Sequence, residues 1–318
     1  MTYPTPPPTP PVAGTRAPAQ WIARYFVDPP NPADLKAAQL KMAFGGGGLV
    51  LGVVLLAAGG GAAALGFVLL VVGFILGVKG WNAKRAYDAA YALAMPRPTD
   101  AEIDQIIGMD ALSIVNRSLP QLGLTTADLV TPRGVTGSGG ASFDDIVANA
   151  GPQGGPGDNQ MVVWGPAFPC NSAFGDDGRM RYSKYEFMVL CPTHYLLAIY
   201  RCELDLYSGQ LKSEQTHEYH YQDVVAVRTA SVPLHRGGIT IQPRASQREA
   251  FARFDTVRQM QIVVSSGDRT SVTLRVSSAA DVTVDSNDPL DFPQVLERVR
   301  ATLREKKGGV RAPDEDLL

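Results

Sequence analysis

The feature that most constrains this chain is a run of 36 residues, Ala43 to Val78, with no charged residue and no Asn, Gln, His, Pro, Ser or Thr. As one helix it would measure about 54 Å, far more than the roughly 30 Å of a bilayer's hydrocarbon core. A core helix of a soluble protein keeps a polar face, and this run has none. Its middle reads Ala57-Ala58-Gly59-Gly60-Gly61-Ala62, three successive glycines that favour a turn over a helix. The spacing predicts a transmembrane helical hairpin with arms at about Ala43–Ala58 and Ala62–Val78. Four glycines, Gly45 to Gly48, predict an irregular start to the first arm. The run begins too far into the chain and is too long for a secretory signal.

The flanks set an expected orientation. Lys36 and Lys41 precede the run, Lys79, Lys84 and Arg85 follow it, and the turn carries no charge. The positive-inside rule then places both termini in the cytoplasm, with the chain a multi-pass protein of the cell's inner (plasma) membrane. Lys41, Lys79, Trp81, Lys84 and Arg85 are expected at the membrane interface, the long cations by snorkelling and the indole as an aromatic anchor. Gly48/Gly52 and Gly73/Gly77 form two GxxxG pairs and Ala62/Gly66 a further small pair. Such glycine-zipper spacing lets helix backbones approach closely, between the two arms or between protomers of a homo-oligomer. Neither arm has a polar side chain to line an ion path.

Outside the hairpin the chain divides by composition. Residues 1–32 are Pro-rich and expected to be a disordered tail. Asn31-Pro32 reads as an N-cap followed by proline at the first helical position, opening a short helix, Ala33–Met42, that leads into the hairpin region 33–98. Lys79–Met95 continues the second arm until Pro96 and Pro98 stop it. Residues 99–132 read as a helical segment opened by a Thr99-Asp-Ala-Glu102 capping box, with Ile103, Ile106, Ile107, Met109, Leu112, Ile114 and Val115 on one face. Residues 133–160, with eight glycines, read as a linker containing a short Phe143–Ala148 segment.

From residue 161 to 307 the pattern changes to strands. Met161–Trp164, Tyr185–Cys191, Tyr195–Leu206, Thr216–Thr229, Phe251–Phe254, Met260–Val264 and Ser271–Val276 are expected as strands, closed by a helix Pro293–Lys306. The fold class is therefore α+β: a transmembrane hairpin with a cytosolic antiparallel sheet or open barrel capped by a C-terminal helix. Residues 308–318 read as an acidic disordered tail.

Net charge is −2, from 29 basic and 31 acidic residues, which offers no field for nucleic acid. The three cysteines, Cys170, Cys191 and Cys202, match no zinc or redox spacing and suit a reducing compartment. His217 and His220 would point to opposite faces of a strand, so no metal is expected. No nucleophile elbow or phosphate loop occurs, so no catalytic residue and no cofactor is expected. The arginines at 228, 236, 244, 248, 253 and 258 make a loose basic face.

The strand region resembles a bacterial pleckstrin-homology-like domain in three stretches and its final helix. These are Tyr195-Leu-Leu-Ala-Ile-Tyr-Arg, Glu218-Tyr-His-Tyr-Gln-Asp-Val-Val-Ala-Val and Gln261-Ile-Val-Val-Ser-Ser-Gly-Asp. Such domains assemble or bind protein partners, which implies a non-enzymatic scaffold or partner-binding module with an unidentified cytosolic protein partner. No cluster of Lys or Arg lies between the first strands, so the resemblance does not carry phosphoinositide recognition with it. The alternative expectation is a membrane-remodelling or pore-forming oligomer regulated by its cytosolic domain.

Overall fold

The computed structural model describes residues 16–130, 159–234, 240–277 and 292–308. The linker region up to residue 158, with its Phe143–Ala148 segment, the first 15 residues and residues 309–318 lie outside it. The described residues form two compact units. Residues 27–97 make one; residues 16–26 and everything from Pro98 onward make the other.

The first unit is an antiparallel pair of helices, α2 (Pro32–Ala58) and α3 (Ala62–Ala94), preceded in the chain by α1 (Ala19–Tyr25). Both α2 and α3 are long and apolar enough to cross a membrane. Asn31 caps α2 by accepting a 2.9 Å hydrogen bond from the Ala33 amide, with Pro32 at the first position. Gly59 and Gly60 turn the chain at φ +73° and +63°, a conformation side chains with a Cβ rarely adopt. α2 is continuous through Gly45–Gly48, against the irregular start expected there. The expected Ala33–Met42 helix and the first arm are one element.

The second unit is a layered α+β structure. A four-stranded meander has the order β1 (Met161–Pro166), β4 (Lys184–Pro192), β5 (Leu196–Asp205), β6 (Gln210–His220). A three-stranded meander has the order β10 (Arg269–Ser277), β9 (Thr256–Val264), β7 (Val224–Pro233). A small third sheet joins β3 (Met180–Tyr182), β2 (Cys170–Phe174) and β8 (Ile241–Pro243). A helical turn, α5 (Arg248–Phe251), precedes β9, and α6 (Phe292–Lys306) follows β10. The sheets do not close into a barrel.

Strands β1, β4 and β5 of the four-stranded sheet are covered on both faces, whereas the edge strand β6 is largely exposed. Met161, Val163, Met188, Leu190, Leu197 and Ile199 point into a core shared with Met260, Ile262, Val272 and Leu274 of the second meander and Val299 of α6. Phe187, Val189, Cys191, Ala198, Tyr200 and Cys202 point the other way. There they meet Ile103, Ile107, Ile114 and Val115 of α4 (Asp100–Gln121), and Trp21, Ile22 and Tyr25 of α1 belong to the same core. Period-two alternation with two covered faces explains why β4 is buried from Tyr185 to Pro192.

This arrangement corrects four expectations. Residues 16–26 are not part of a disordered tail: they include α1, whose Ile22 and Tyr25 are fully buried. Residues 99–121 are not a separate helical segment, because α4 covers one face of the sheet. Its Thr99–Glu102 capping box is present, and Pro120 sits inside its last turn. The stretch Thr216–Thr229 is two strands of two different sheets, broken at Tyr221–Asp223. Phe251–Phe254 is the end of a helical turn and the residues after it, not a strand.

Candidate functional site

Two arrangements stand out, one in each unit. In the hairpin, glycines bring the backbones of α2 and α3 together. A Cβ on Gly45 would lie 2.5 Å from the Gly77 amide nitrogen; one on Gly52 would lie 2.8 Å from the Gly66 carbonyl oxygen. One on Gly66 would lie 2.8 Å from the Gly52 carbonyl oxygen, and one on Gly73 would lie 2.8 Å from the Leu49 amide nitrogen. One on Gly80 would sit 2.8 Å from the Met42 nitrogen. No side chain larger than hydrogen fits at these positions without moving a backbone.

Of the glycines expected to pack, Gly52, Gly66 and Gly73 lie in this seam. Gly48 lies at its margin, where an added Cβ would be 3.2 Å from the Gly73 Cα. Gly77 offers its backbone to Gly45, but its own Cβ direction is open, as are those of Gly46 and Gly47. Gly45 and Gly80 were not anticipated. The signal that finds them is a strict seven-residue spacing: Gly45, Gly52, Gly59, Gly66, Gly73 and Gly80. A heptad keeps one seam facing a partner helix, whereas GxxxG matches only parts of it. The glycines open to contacts between protomers are thus largely engaged within the chain.

The charged end of the hairpin carries the expected interface residues. Lys41, Lys79 and Arg85 are exposed, and Trp81 is 52% exposed. The Arg85 guanidinium lies over the Trp81 ring, 5.3 Å from its centroid, a cation–π contact across one helical turn. Lys84 and Asp88 pair at 3.8 Å.

In the second unit a buried arginine gathers three elements. Arg181, on β3, is 3% exposed. Its Nε and Nη2 donate to the two carboxylate oxygens of Asp104 on α4, both at 2.7 Å. Its Nη1 and Nη2 donate to Asp177 at 2.9 and 2.8 Å, and Nη1 also reaches the Tyr25 hydroxyl at 3.3 Å. That hydroxyl donates to Asp100 at 2.7 Å. Asp100 also accepts the Asp176 amide at 2.7 Å, an approach that needs glycine at 175, where a Cβ would lie 2.5 Å from the carboxylate.

The charges in this cluster reinforce each other. The Arg181 hydrogen bond holds the Asp177 carboxyl below its ordinary value. Burial pushes Asp100 upward, but the Tyr25 hydroxyl and the Arg181 charge outweigh it and hold that carboxyl low as well. Burial works against the Arg181 cation, and Asp104 and Asp177 overcome it, so the guanidinium is held charged. A planar guanidinium bonding two carboxylates bidentately is a rigid joint. Arg244 adds to it, stacking on the Tyr25 ring at 5.1 Å and donating to the Tyr25 carbonyl.

Residues weighed for chemistry fall apart from one another. All three cysteines are buried free thiols, and burial pushes them up, Cys170 and Cys202 to about 12 and Cys191 to about 11. His217 stacks on Tyr219, and burial lowers its pKa. Among the described residues no group of three or more His, Cys, Asp or Glu is placed to hold a metal ion. No protein-family model, curated protein or solved structure matches the chain.

Proposed function

We propose that this chain is a membrane-anchored, non-enzymatic interaction module: α2 and α3 cross the bilayer as a hairpin, and the α+β unit displays a partner-binding surface in the cytoplasm. The observation that carries this reading is connectivity. α1 and α4 share one hydrophobic core, so the chain leaves the α+β unit at Phe26 and returns to it at Pro98. A bilayer crossed by α2 must be crossed back by α3. At the turn, the last carbonyls of α2 and the first amides of α3 have few partners of their own, and unpaired backbone groups are costly in hydrocarbon. The turn therefore belongs at the far interface. The basic flanks then set the α+β unit on the cytoplasmic side of an inner membrane.

The pleckstrin-homology-like reading is supported by strand order. A four-stranded meander, a three-stranded meander and a terminal helix follow one another, with α1, α4 and the small sheet added outside. A partner protein, rather than a substrate, is the expected ligand. A pore is disfavoured by a seam that is closed backbone to backbone and by arms without polar side chains.

The test combines alkaline carbonate extraction with single-cysteine labelling of the full chain in oriented membranes, using Gly60→Cys and Tyr195→Cys. Tyr195 is 82% exposed, and the native thiols are buried. The chain is expected to resist extraction, with position 60 labelled only from the side opposite position 195. Labelling of both from one side would overturn the hairpin topology. Dye leakage from liposomes carrying the chain would overturn the scaffold reading in favour of a pore.

A further inference from the structure

We infer that the charged end of the hairpin is a two-tier collar that binds the phosphate-bearing headgroups of anionic phospholipids; the inference rests on the membrane reading above. The tiers follow from the register of the seam. Gly45 lies against Gly77, and Met42 lies against Gly80. Antiparallel helices in that register put Lys41 beside Trp81 and Lys79 beside Ala43, so the two lysines sit within about 3 Å of one another along the axis. The same register puts Lys36 opposite Ala86, within about 3 Å along the axis of Lys84 and Arg85. This second tier lies about 8 Å further from the hydrocarbon, at 1.5 Å per residue. A headgroup layer is about 5–8 Å thick on each side of a bilayer. The first tier therefore marks the hydrocarbon edge and the second the outer margin of the phosphate layer.

Charge and geometry both favour an anion there. Between residues 34 and 88 the cations are Lys36, Lys41, Lys79, Lys84 and Arg85 and the anions Asp34 and Asp88, so the net charge is 5 − 2 = +3. All of it lies at one end, since the turn has none. Side chains of a helix lean toward its N-terminus, which for α3 is the membrane side. Arg85 thus leans down into the phosphate layer, and its stack on Trp81 holds the guanidinium there. A guanidinium fixed on an aromatic face still presents its edge donors, the geometry that grips phosphate oxygens in pairs. Asp88 neutralises part of Lys84 across the 3.8 Å pair, and Lys36 on α2 leans the other way, so Arg85 is the strongest contact of the outer tier and Lys36 adds charge at its margin.

The experiment reconstitutes the full chain in phosphatidylcholine vesicles. It measures the relative association of spin-labelled phosphatidylglycerol and spin-labelled phosphatidylcholine with the protein. Wild type is expected to prefer the anionic lipid about five-fold at low ionic strength, and less as salt is raised. The triple variant Lys36→Gln, Lys84→Gln, Arg85→Gln is expected to fall to no more than about two-fold. Inorganic phosphate, added at constant ionic strength, is expected to leave the wild-type preference in place. Its removal by phosphate would overturn the headgroup assignment in favour of a free-anion site. Equal association of both lipids with wild type that resists carbonate extraction would overturn the collar alone. Extraction by carbonate would overturn the membrane reading and the collar with it.

Discussion

The two units solve the same packing problem with opposite materials. Between α2 and α3 the contact is made by residues with no side chain, and bulk is turned outward: Phe44, Phe67 and Phe74 are all more than 60% exposed. In the α+β unit the contact is made by bulk itself, with Tyr25, Tyr200, Phe187 and Ile22 fully buried. Water drives the second arrangement, because apolar area is removed from it. For helices that cross a bilayer, as we propose for α2 and α3, burying bulk among lipid tails as apolar as leucine gains little, and close backbone approach takes its place. The same chain therefore uses glycine as its tightest contact in one unit and aromatics in the other.

The contrast can be tested by substitutions that should hurt one unit and spare the other. The largest effect is expected from Trp21→Ala. If α1 is core, removing a 3%-exposed indole should destabilise the α+β unit by about 3–5 kcal/mol in denaturant unfolding while leaving hairpin helicity unchanged. Arg181→Leu should come close behind at about 3 kcal/mol, because it strands two carboxylates around Tyr25. Arg181→Lys should restore little of this, since one ammonium cannot bond both carboxylates bidentately.

Next come the glycines of the seam. Gly52→Leu or Gly73→Leu should weaken association of the two arms by about 1–3 kcal/mol, read as loss of energy transfer between dyes on α2 and α3 during detergent titration. The α+β unit should not notice. Crosslinked oligomers unchanged in Gly48→Leu with Gly73→Leu would show that these glycines serve the arms and not neighbouring protomers.

Acid should act on the α+β unit alone. Asp100 and Asp177 are held below the ordinary carboxylate value of 3.8, so their stabilisation is complete above that pH. It is lost as pH falls below 3.8 through their folded-state values. Asp177→Asn should flatten this limb of an acid titration followed by tryptophan fluorescence; an unchanged limb would mean the cluster does not contribute. The smallest effect is reserved for Gly46→Ala, Gly47→Ala and Gly77→Ala. These should shift arm association by less than about 1 kcal/mol, because a Cβ at each meets open space. A large loss at Gly77 would undo the register on which the seam and the collar both depend.

How legible each unit was in the sequence follows from how local its contacts are. The hairpin could be read closely, down to the turn at Gly59–Gly61 and the Asn31 cap, because one uncharged run and one turn define it. Its seam is legible only in part: GxxxG spacing marks Gly52 and Gly73 but also Gly48 at the margin and Gly77, whose Cβ direction is open, while Gly45 and Gly80 emerge only from the heptad. Most strands of the two meanders were visible from alternation. α1 was not, because seven residues behind a Pro-rich stretch carry no periodicity to speak of. The partners of Tyr25 lie 75 to 219 residues along the chain, at Asp100, Arg181 and Arg244. The Arg181 cluster was invisible for the same reason: Tyr25, Asp100, Asp104, Asp177 and Arg181 are ordinary residues until the fold assembles them.

The insertion of the hairpin between α1 and α4 also sets a timetable. A ribosome delivers α1 first, the hairpin second, and the strands that complete the core last. At about 5–20 residues per second, the 251 residues that follow Phe26, up to Ser277, take about 10–50 s to make. During that interval α1 has no finished core to join, while, on the membrane reading proposed above, the hairpin would already be committing to the bilayer. A chain whose first residues strayed across the membrane could never close its core. Completion of the α+β unit would then act as a check on orientation, leaving wrongly inserted copies unfolded and open to proteolysis.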